Sequence, residues 1–320
     1  MKKRFLEIDM LRGIAIIAMI LIHTCYYFLN DKTALFIWNW SQFAVPVFIF
    51  CAAYLFFQKP QSISLSYLKK RLIRLIKPYH IFLLFFIPIL FFVSPEKINF
   101  KYILQSIFAV GGVDINWLVL LFIFMTIIFP LIGDGFKKYK PLFIAYSIFA
   151  LISSITFVFL KFPFSYKFIF WLPWSVIPIF TYFFVLWEHK KYLTVYSTFI
   201  SGLIFAFSYY LEIISKHNLG MYENKYPPTI YFLSYGIFMI SLIYLLSKLL
   251  IRNKILTKAI SFFSLYSYSI YFIHYMILII LASQLIYFHS WIYFFLSILI
   301  STIAIQLGIN KLEKHSSILD

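Results

Sequence analysis

Long apolar runs dominate the chain, broken at intervals by short clusters of charge, proline and asparagine. Several runs reach about 20 residues with almost no ionised side chain, the length a helix needs to cross ~30 Å of hydrocarbon. Taking each run between breaks as one element predicts ten transmembrane helices. They fall at 10–29, 36–57, 79–94, 116–132, 141–160, 169–187, 193–212, 230–250, 262–284 and 290–309. The stretch 96–109 is short and carries Glu96, Lys97 and Lys101, which predicts an interfacial or re-entrant piece. The expected fold class is all-α, a polytopic membrane protein with a bundle of ten transmembrane helices. No internal repeat or long linker divides residues 1–320, so a single domain is expected.

Composition agrees with that pattern. The chain is 63% hydrophobic and 12% charged, against roughly 45–50% and about 25% in an average globular protein. With a mean hydropathy of +0.90 there is too little polar side chain to coat a water-facing surface of this size. A soluble enzyme, a DNA-binding module and a disordered chain are excluded. The net charge of +17 would point a soluble protein toward nucleic acid; here its placement matters more. Of the 28 Lys and Arg residues, 20 fall on one set of alternate loops and tails. Seven fall on the other, at Lys32, Lys97, Lys101, Lys161, Lys167, Lys216 and Lys225, and Arg12 lies inside the first helix. The positive-inside rule then predicts cytoplasmic termini, with the excess basic charge facing anionic membrane lipids. The basic start before an apolar run resembles a signal peptide. Because Arg12 and His23 interrupt that run and no small-residue cleavage site ends it, a retained first helix is expected. Cys25 and Cys51 lie in apolar runs and are expected to be packing residues, and no metal-ligand spacing is present.

Charged and titratable groups at membrane depth are costly and point to function. Helix one carries Asp9, Arg12 and His23. Arg12 and His23 are eleven residues apart, so they share a helix face about 16 Å apart along the axis. Asp9, three residues before Arg12, can pair with it. The plainer alternatives are that Arg12 snorkels to the headgroups and His23 is a hydrogen-bonded core residue. The combination is more specific: an anion-binding group at the mouth and an imidazole deeper on the same stripe, at the reach of an extended pantetheine arm. Before the third helix, Arg71 and Arg74 stand at i, i+3 within a basic cluster. Helical, they could clamp a phosphate; otherwise they belong to the basic collar of a loop. His274 lies deep in a later apolar run and reads equally well as structural or functional.

Together these residues resemble the acyltransferase-3 family of integral membrane acyltransferases. Ile8-Asp9-Met10-Leu11-Arg12-Gly13-Ile14-Ala15 is similar to the family's opening L-D-x-L-R-G-I-A. Arg12 through His23 fits its Arg-x10-His signature, and Arg71-Leu72-Ile73-Arg74 its Arg-x-x-Arg motif. Tyr268-Ser269-Ile270-Tyr271-Phe272-Ile273-His274 resembles its stretch Y-S-Y-x-I-Y-L-I-H. Two places depart. Phe50-Cys51-Ala52-Ala53-Tyr54 stands where the family often has F-x-x-S-G-Y. In helix four Trp117 and Pro130 keep the spacing, but Phe122, Ile123, Phe124 and Thr126 fill positions that are commonly polar.

The resemblance implies an O-acyltransferase in a cell membrane, that of a bacterial cytoplasm being expected. It would move an acyl group, acetyl in the first instance, from acyl-CoA to a hydroxyl of a cell-surface carbohydrate or lipid-linked glycan. Arg12, Arg71 and Arg74 would hold the CoA phosphates. His23 would act as base or become acylated, with Asp9 orienting Arg12. Trp117, Tyr271 and His274 would meet substrate. Acyl-CoA is expected as donor, with no permanently bound cofactor and no metal. The competing expectation is an exporter or flippase of a surface polysaccharide, which the apolar replacements in helix four favour and which would need no CoA.

Overall fold

The computed structural model describes residues 5–160, 167, 169–217 and 219–319. Each long apolar run forms helix. In chain order these are α1 (Leu6–Cys25), α2 (Lys32–Trp40), α3 (Ala44–Gln58), α4 (Leu65–Val93), α5 (Phe100–Ile107), α6 (Asn116–Lys138) and α7 (Lys140–Phe159). They continue with α8 (Trp171–Trp174), α9 (Val176–Trp187), α10 (Leu193–Ile214), α11 (Ile230–Leu250), α12 (Lys254–Leu265), α13 (Ser267–Ala282) and α14 (Trp291–Leu319). Among the described residues no strand forms; one isolated bridge pairs Lys225 with Pro228.

Eight runs are long and apolar enough to cross a membrane, α2 and α3 together forming one of them, Lys32–Gln58. A ninth follows if α12 and α13, which meet at a bend of 77°, count as one span. The expected ten is therefore met only in part. Trp171–Trp187 falls in the class of 10–17 residues, short of a full span by length. Its break lies at Ser175, whose hydroxyl turns back to donate to Trp171 O at 2.7 Å, between α8 and α9.

The basic stretch expected as a loop is helical from Leu65. Ser64 caps it by accepting from the Tyr67 amide at 3.1 Å, and α4 then runs 29 residues through Pro78 and Pro88. The piece at 96–109 becomes a single 3-10 turn and the short α5, started by Asn99, which accepts from the Tyr102 amide at 2.8 Å.

At the centre stands α1, packed against α2, α3, α11, α12, α13 and α14. Small residues let its neighbours come close, since apolar helices in lipid gain their contact from tight packing. A Cβ on Gly13 would lie 2.4 Å from Ile260 Cγ2 and 2.5 Å from the Ile260 carbonyl oxygen, so only glycine admits α12 at this crossing. The outer helices contrast with this: over their most apolar stretches only 17% of α10, 22% of α14 and 28% of α7 is buried, and their Phe, Leu and Ile side chains face outward. Cys25 and Cys51 are buried free thiols, as packing residues would be.

Candidate functional site

Continuous helix through α1 sets its three polar residues in register. Near its start Asp9 accepts a hydrogen bond from the Ser264 hydroxyl of α12 at 2.8 Å. Arg12, half-buried, directs its guanidinium at Cys51 of α3. Near the other end His23 meets His274 of α13, Nδ1 to Nε2 at 2.8 Å. Two histidines from opposite ends of the chain, 251 residues apart, form one pair.

The tautomers of that pair follow from its surroundings. His274 Nδ1 lies 2.9 Å from Ile270 O, and a carbonyl can only accept, so Nδ1 carries the proton. The Nε2 of neutral His274 is then an acceptor. His23 must donate to it from Nδ1, which leaves His23 Nε2 with a free lone pair. His274 is fully buried whereas His23 is half-buried, so the nitrogen with the lone pair belongs to the more accessible ring. The rings are nearly coplanar, at 7°, and the edge of Tyr275 meets His23 with ring centroids 5.9 Å apart.

The other end of the site is set by α4. Tyr268 at the start of α13 donates from its hydroxyl to Leu75 O of α4 at 2.7 Å, which fixes the register between the two helices. From Tyr268 to His274 is six residues, about 9 Å, and from Leu75 back to Arg71 is four, about 6 Å. Arg71 thus lies ~15 Å from the imidazole pair along the bundle, nearly the ~16 Å that separates Arg12 from His23. Arg71 rests over the Tyr67 ring, 5.5 Å from its centroid, and Arg74 is exposed. Arg12 and Arg71 therefore share a level, and Arg74, one residue from Leu75, stands about 10 Å from the imidazoles by the same rise. Between that level and the imidazoles, however, the shared face of α1 is closed: Ile16 is 0% and Met19 3% exposed. The stripe read from the spacing exists, but packed side chains fill it.

The segment before α6 brings in the partner of Tyr271 and leads into Trp117. Ser106 Oγ accepts from the Val113 amide at 3.2 Å, and the Tyr79 hydroxyl donates to Ser106 O. At Gly112, φ is +72° and a Cβ would lie 2.1 Å from Ser106 Oγ, so the turn requires glycine. The turn delivers Ile115, whose carbonyl accepts from the Tyr271 hydroxyl at 2.8 Å, and with it Trp117. Tyr271 in turn lies against His274, ring centroids 5.9 Å apart. His23, His274 and Tyr271 are thus brought together, with Trp117 carried alongside on the turn that Tyr271 ties down.

Three groups escape a reading of the sequence. Lys225, from the segment between α10 and α11, is buried beside Trp117, 5.0 Å from its ring centroid. Gln42 accepts from it at 3.2 Å. Glu188, after α9, accepts from the hydroxyls of Tyr54 and Tyr244, each at 2.6 Å, and from Gln58 at 3.2 Å. Each stands in a loop or at a helix end where hydropathy carries no signal; Lys225, with Tyr222 and Tyr226 beside it, offered only its aromatic company. Among the described residues no cluster of three His, Cys, Asp or Glu could hold a metal.

Comparison with curated proteins and with solved structures gave no match. A family model described as an acyltransferase domain matches residues 5–310, which takes in both histidines, all three arginines and every helix that positions them. The chain belongs to the acyltransferase-3 family and is a membrane-embedded acyltransferase.

Proposed function

We propose that the protein is an O-acyltransferase that takes an acyl group, acetyl in the simplest case, from cytoplasmic acyl-CoA. The acceptor is a hydroxyl of a cell-surface carbohydrate or lipid-linked glycan. The observation that carries this reading is the tautomer chain from Ile270 O through His274 to His23, which leaves a lone pair on the accessible imidazole. A base so prepared removes the acceptor proton as the oxygen attacks the thioester carbon. The carbonyl electrons move onto oxygen and return as the CoA thiolate leaves, which takes up the proton from His23. General-base help of this kind is worth on the order of 10²–10⁴ in rate.

Arg12, Arg71 and Arg74 suit the phosphates of CoA, since guanidinium binds phosphate by paired charge-assisted hydrogen bonds. The ~15 Å of Arg12 and Arg71 from the imidazoles matches an extended pantetheine, with Arg74 about one turn nearer. Asp9 and Ser264 hold the start of α1, and Trp117 and Tyr271 border the acceptor side. Ile16 and Met19 must be displaced for the arm to thread; Met19, unbranched and flexible, is the easier of the two to move. The excess of Lys and Arg on one set of loops supports a reading in which the arginine level and both termini face the cytoplasm of a bacterial cell.

The test is turnover of labelled acyl-CoA by the purified protein in lipid. His23→Ala is expected to lower acyl transfer at least about a hundredfold with donor binding retained. Turnover at the wild-type rate removes His23 from the mechanism, and failure of the wild type to bind acyl-CoA removes the donor.

A further inference from the structure

The segment between α10 and α11 turns back into the bundle and leaves an ammonium there. Lys225 is 3% exposed, although it stands in a loop. Its backbone is pinned from both sides. The Thr229 hydroxyl donates to Asn224 Oδ1 at 2.7 Å, and the Thr229 amide donates to Asn224 O at 3.0 Å. Upstream, Asn39 of α2 accepts from the Met221 amide at 3.0 Å. The side chain donates to Gln42 Oε1 at 3.2 Å, and Gln42 is itself oriented by donating from Nε2 to Trp38 O at 3.0 Å. The rings of Trp117 and Tyr226 lie 5.0 and 5.3 Å from the nitrogen. Among the described residues no carboxylate comes within ion-pair distance of it.

That environment is poor for a lysine that only packs. An ammonium has three N–H bonds to place, and only one of them meets an oxygen acceptor, the ring faces of Trp117 and Tyr226 being weak partners for the rest. Burial pushes the Lys225 amine down to about 7. A methionine would fill the same volume without that cost. Lys225 is tied to the imidazole pair through Trp117, which stands two residues after Ile115, the acceptor of the Tyr271 hydroxyl, and Tyr271 lies against His274. Aromatic faces lead outward from it. Tyr226 meets Tyr222 at 5.5 Å and Tyr222 meets Trp38 at 5.2 Å between centroids, and Tyr222 is 41% exposed. Flat apolar faces beside a half-satisfied cation suit a sugar ring that bears a negative group: the ring lies against the aromatics and the anion meets the ammonium.

We infer that Lys225 is the anion-recognising group of the acceptor subsite, and that the acceptor unit is an anionic sugar with a carboxylate or phosphate near the hydroxyl that is acylated. The fate of the bound sugar rests on the acyl-transfer reading above, whereas its capture by Lys225 does not.

The experiment uses the full-length protein in lipid nanodiscs, titrated by calorimetry with a methyl uronoside, a glycosyl phosphate and a neutral methyl glycoside. The wild type is expected to bind at least one anionic glycoside about ten- to a hundredfold more tightly than the neutral one. The two charged arms show which anion is read. Lys225→Met and Lys225→Gln are expected to lose the preference and to bind all three ligands as the wild type binds the neutral one. The absence of a preference in the wild type overturns the inference, as does a preference that survives both variants. A Lys225→Gln protein that transfers acyl groups more slowly to charged and neutral acceptors alike, with no change in binding, also overturns it and makes Lys225 an oxyanion donor. In His23→Ala the preference is expected to persist. Acyl transfer failing in the wild type while anionic binding holds would defeat only the acyl-transfer reading.

Discussion

In the proposed mechanism His274 acts on the reaction only through His23. Its own Nδ1 is committed to Ile270 O, and its Nε2 decides which nitrogen of His23 keeps the proton. His274→Phe removes the acceptor, so His23 can take either tautomer and its lone pair is no longer directed. Turnover is expected to fall about ten- to a hundredfold with the donor KM unchanged, less than for loss of the base itself. His274→Gln offers an amide whose Nε2 can donate to Ile270 O while its Oε1 accepts from His23, and is expected to recover much of the loss. A purely structural histidine would show no such ranking, and wild-type turnover in His274→Phe would sink the dyad. From sequence, each histidine stood out as a polar group in an apolar run, but nothing marked them as partners. Their pairing depends on the level at which α13 meets α1, and the Tyr268–Leu75 hydrogen bond that helps to fix α13 against α4 has no local signature. Lys225 was less legible still. A loop lysine is ordinarily solvated, and only the return of its segment into the bundle makes it a buried charge.

At the scale of the helix pair, α1 and α12 cross where Gly13 leaves no room for another atom. Ile260 presents both a methyl at 2.4 Å and a backbone carbonyl at 2.5 Å to a Cβ built on Gly13. A side chain can rotate away, but a carbonyl moves only with its helix. Gly13→Ala is therefore expected to destabilise the fold by about 1–3 kcal/mol, seen as a lower thermal transition in detergent and weaker acyl-CoA turnover, because Asp9 is held from the same α12 through Ser264. Ile260→Ala in the Gly13→Ala background relieves the methyl contact alone, so recovery is expected to be partial. Full recovery would show that the backbone approach is not the constraint, and no loss in the single variant would show that the crossing is loose. The glycine was visible in the sequence as part of the opening motif, but its reason was not. The angle of α12, bent 77° from α13, creates the contact, and the apolar run at 262–284 reads as one straight span. Helix α4 shows the reverse case. Hydropathy began its span at residue 79 because the basic residues look like loop, whereas Ser64 starts a helix that holds Arg71 and Arg74 on one continuous rod.

For the whole molecule the question is how many times the chain crosses, because the side of the membrane that each end of the site faces depends on it. Length and composition support eight or nine crossings, and Trp171–Trp187 is the run they leave out. Its contacts bear on the matter. At one end Trp174 stacks with Trp117, ring centroids 6.4 Å apart, at the start of α6. At the other, Glu188 is held by Gln58 and Tyr54 at the end of α3. α3 and α6 are both spans, and the segment joins the Lys225 level to the arginine level. A crossing here is the expected outcome, shortened because a run buried among other helices need not match the full hydrocarbon thickness. Single cysteines test this, since Cys25 and Cys51 are buried and should stay silent to a membrane-impermeant maleimide. Gln61→Cys, His189→Cys and Glu223→Cys introduce thiols at exposed loop positions. In intact cells Glu223→Cys is expected to label, while Gln61→Cys and His189→Cys label only after the membrane is opened. If His189→Cys labels with Glu223→Cys instead, Trp171–Trp187 does not cross and the chain returns to an odd number of spans. If Gln61→Cys labels from outside, the bundle is inverted. The arginines would then face away from the cytoplasm, where no acyl-CoA could reach them, and Lys225 would face the interior that holds it.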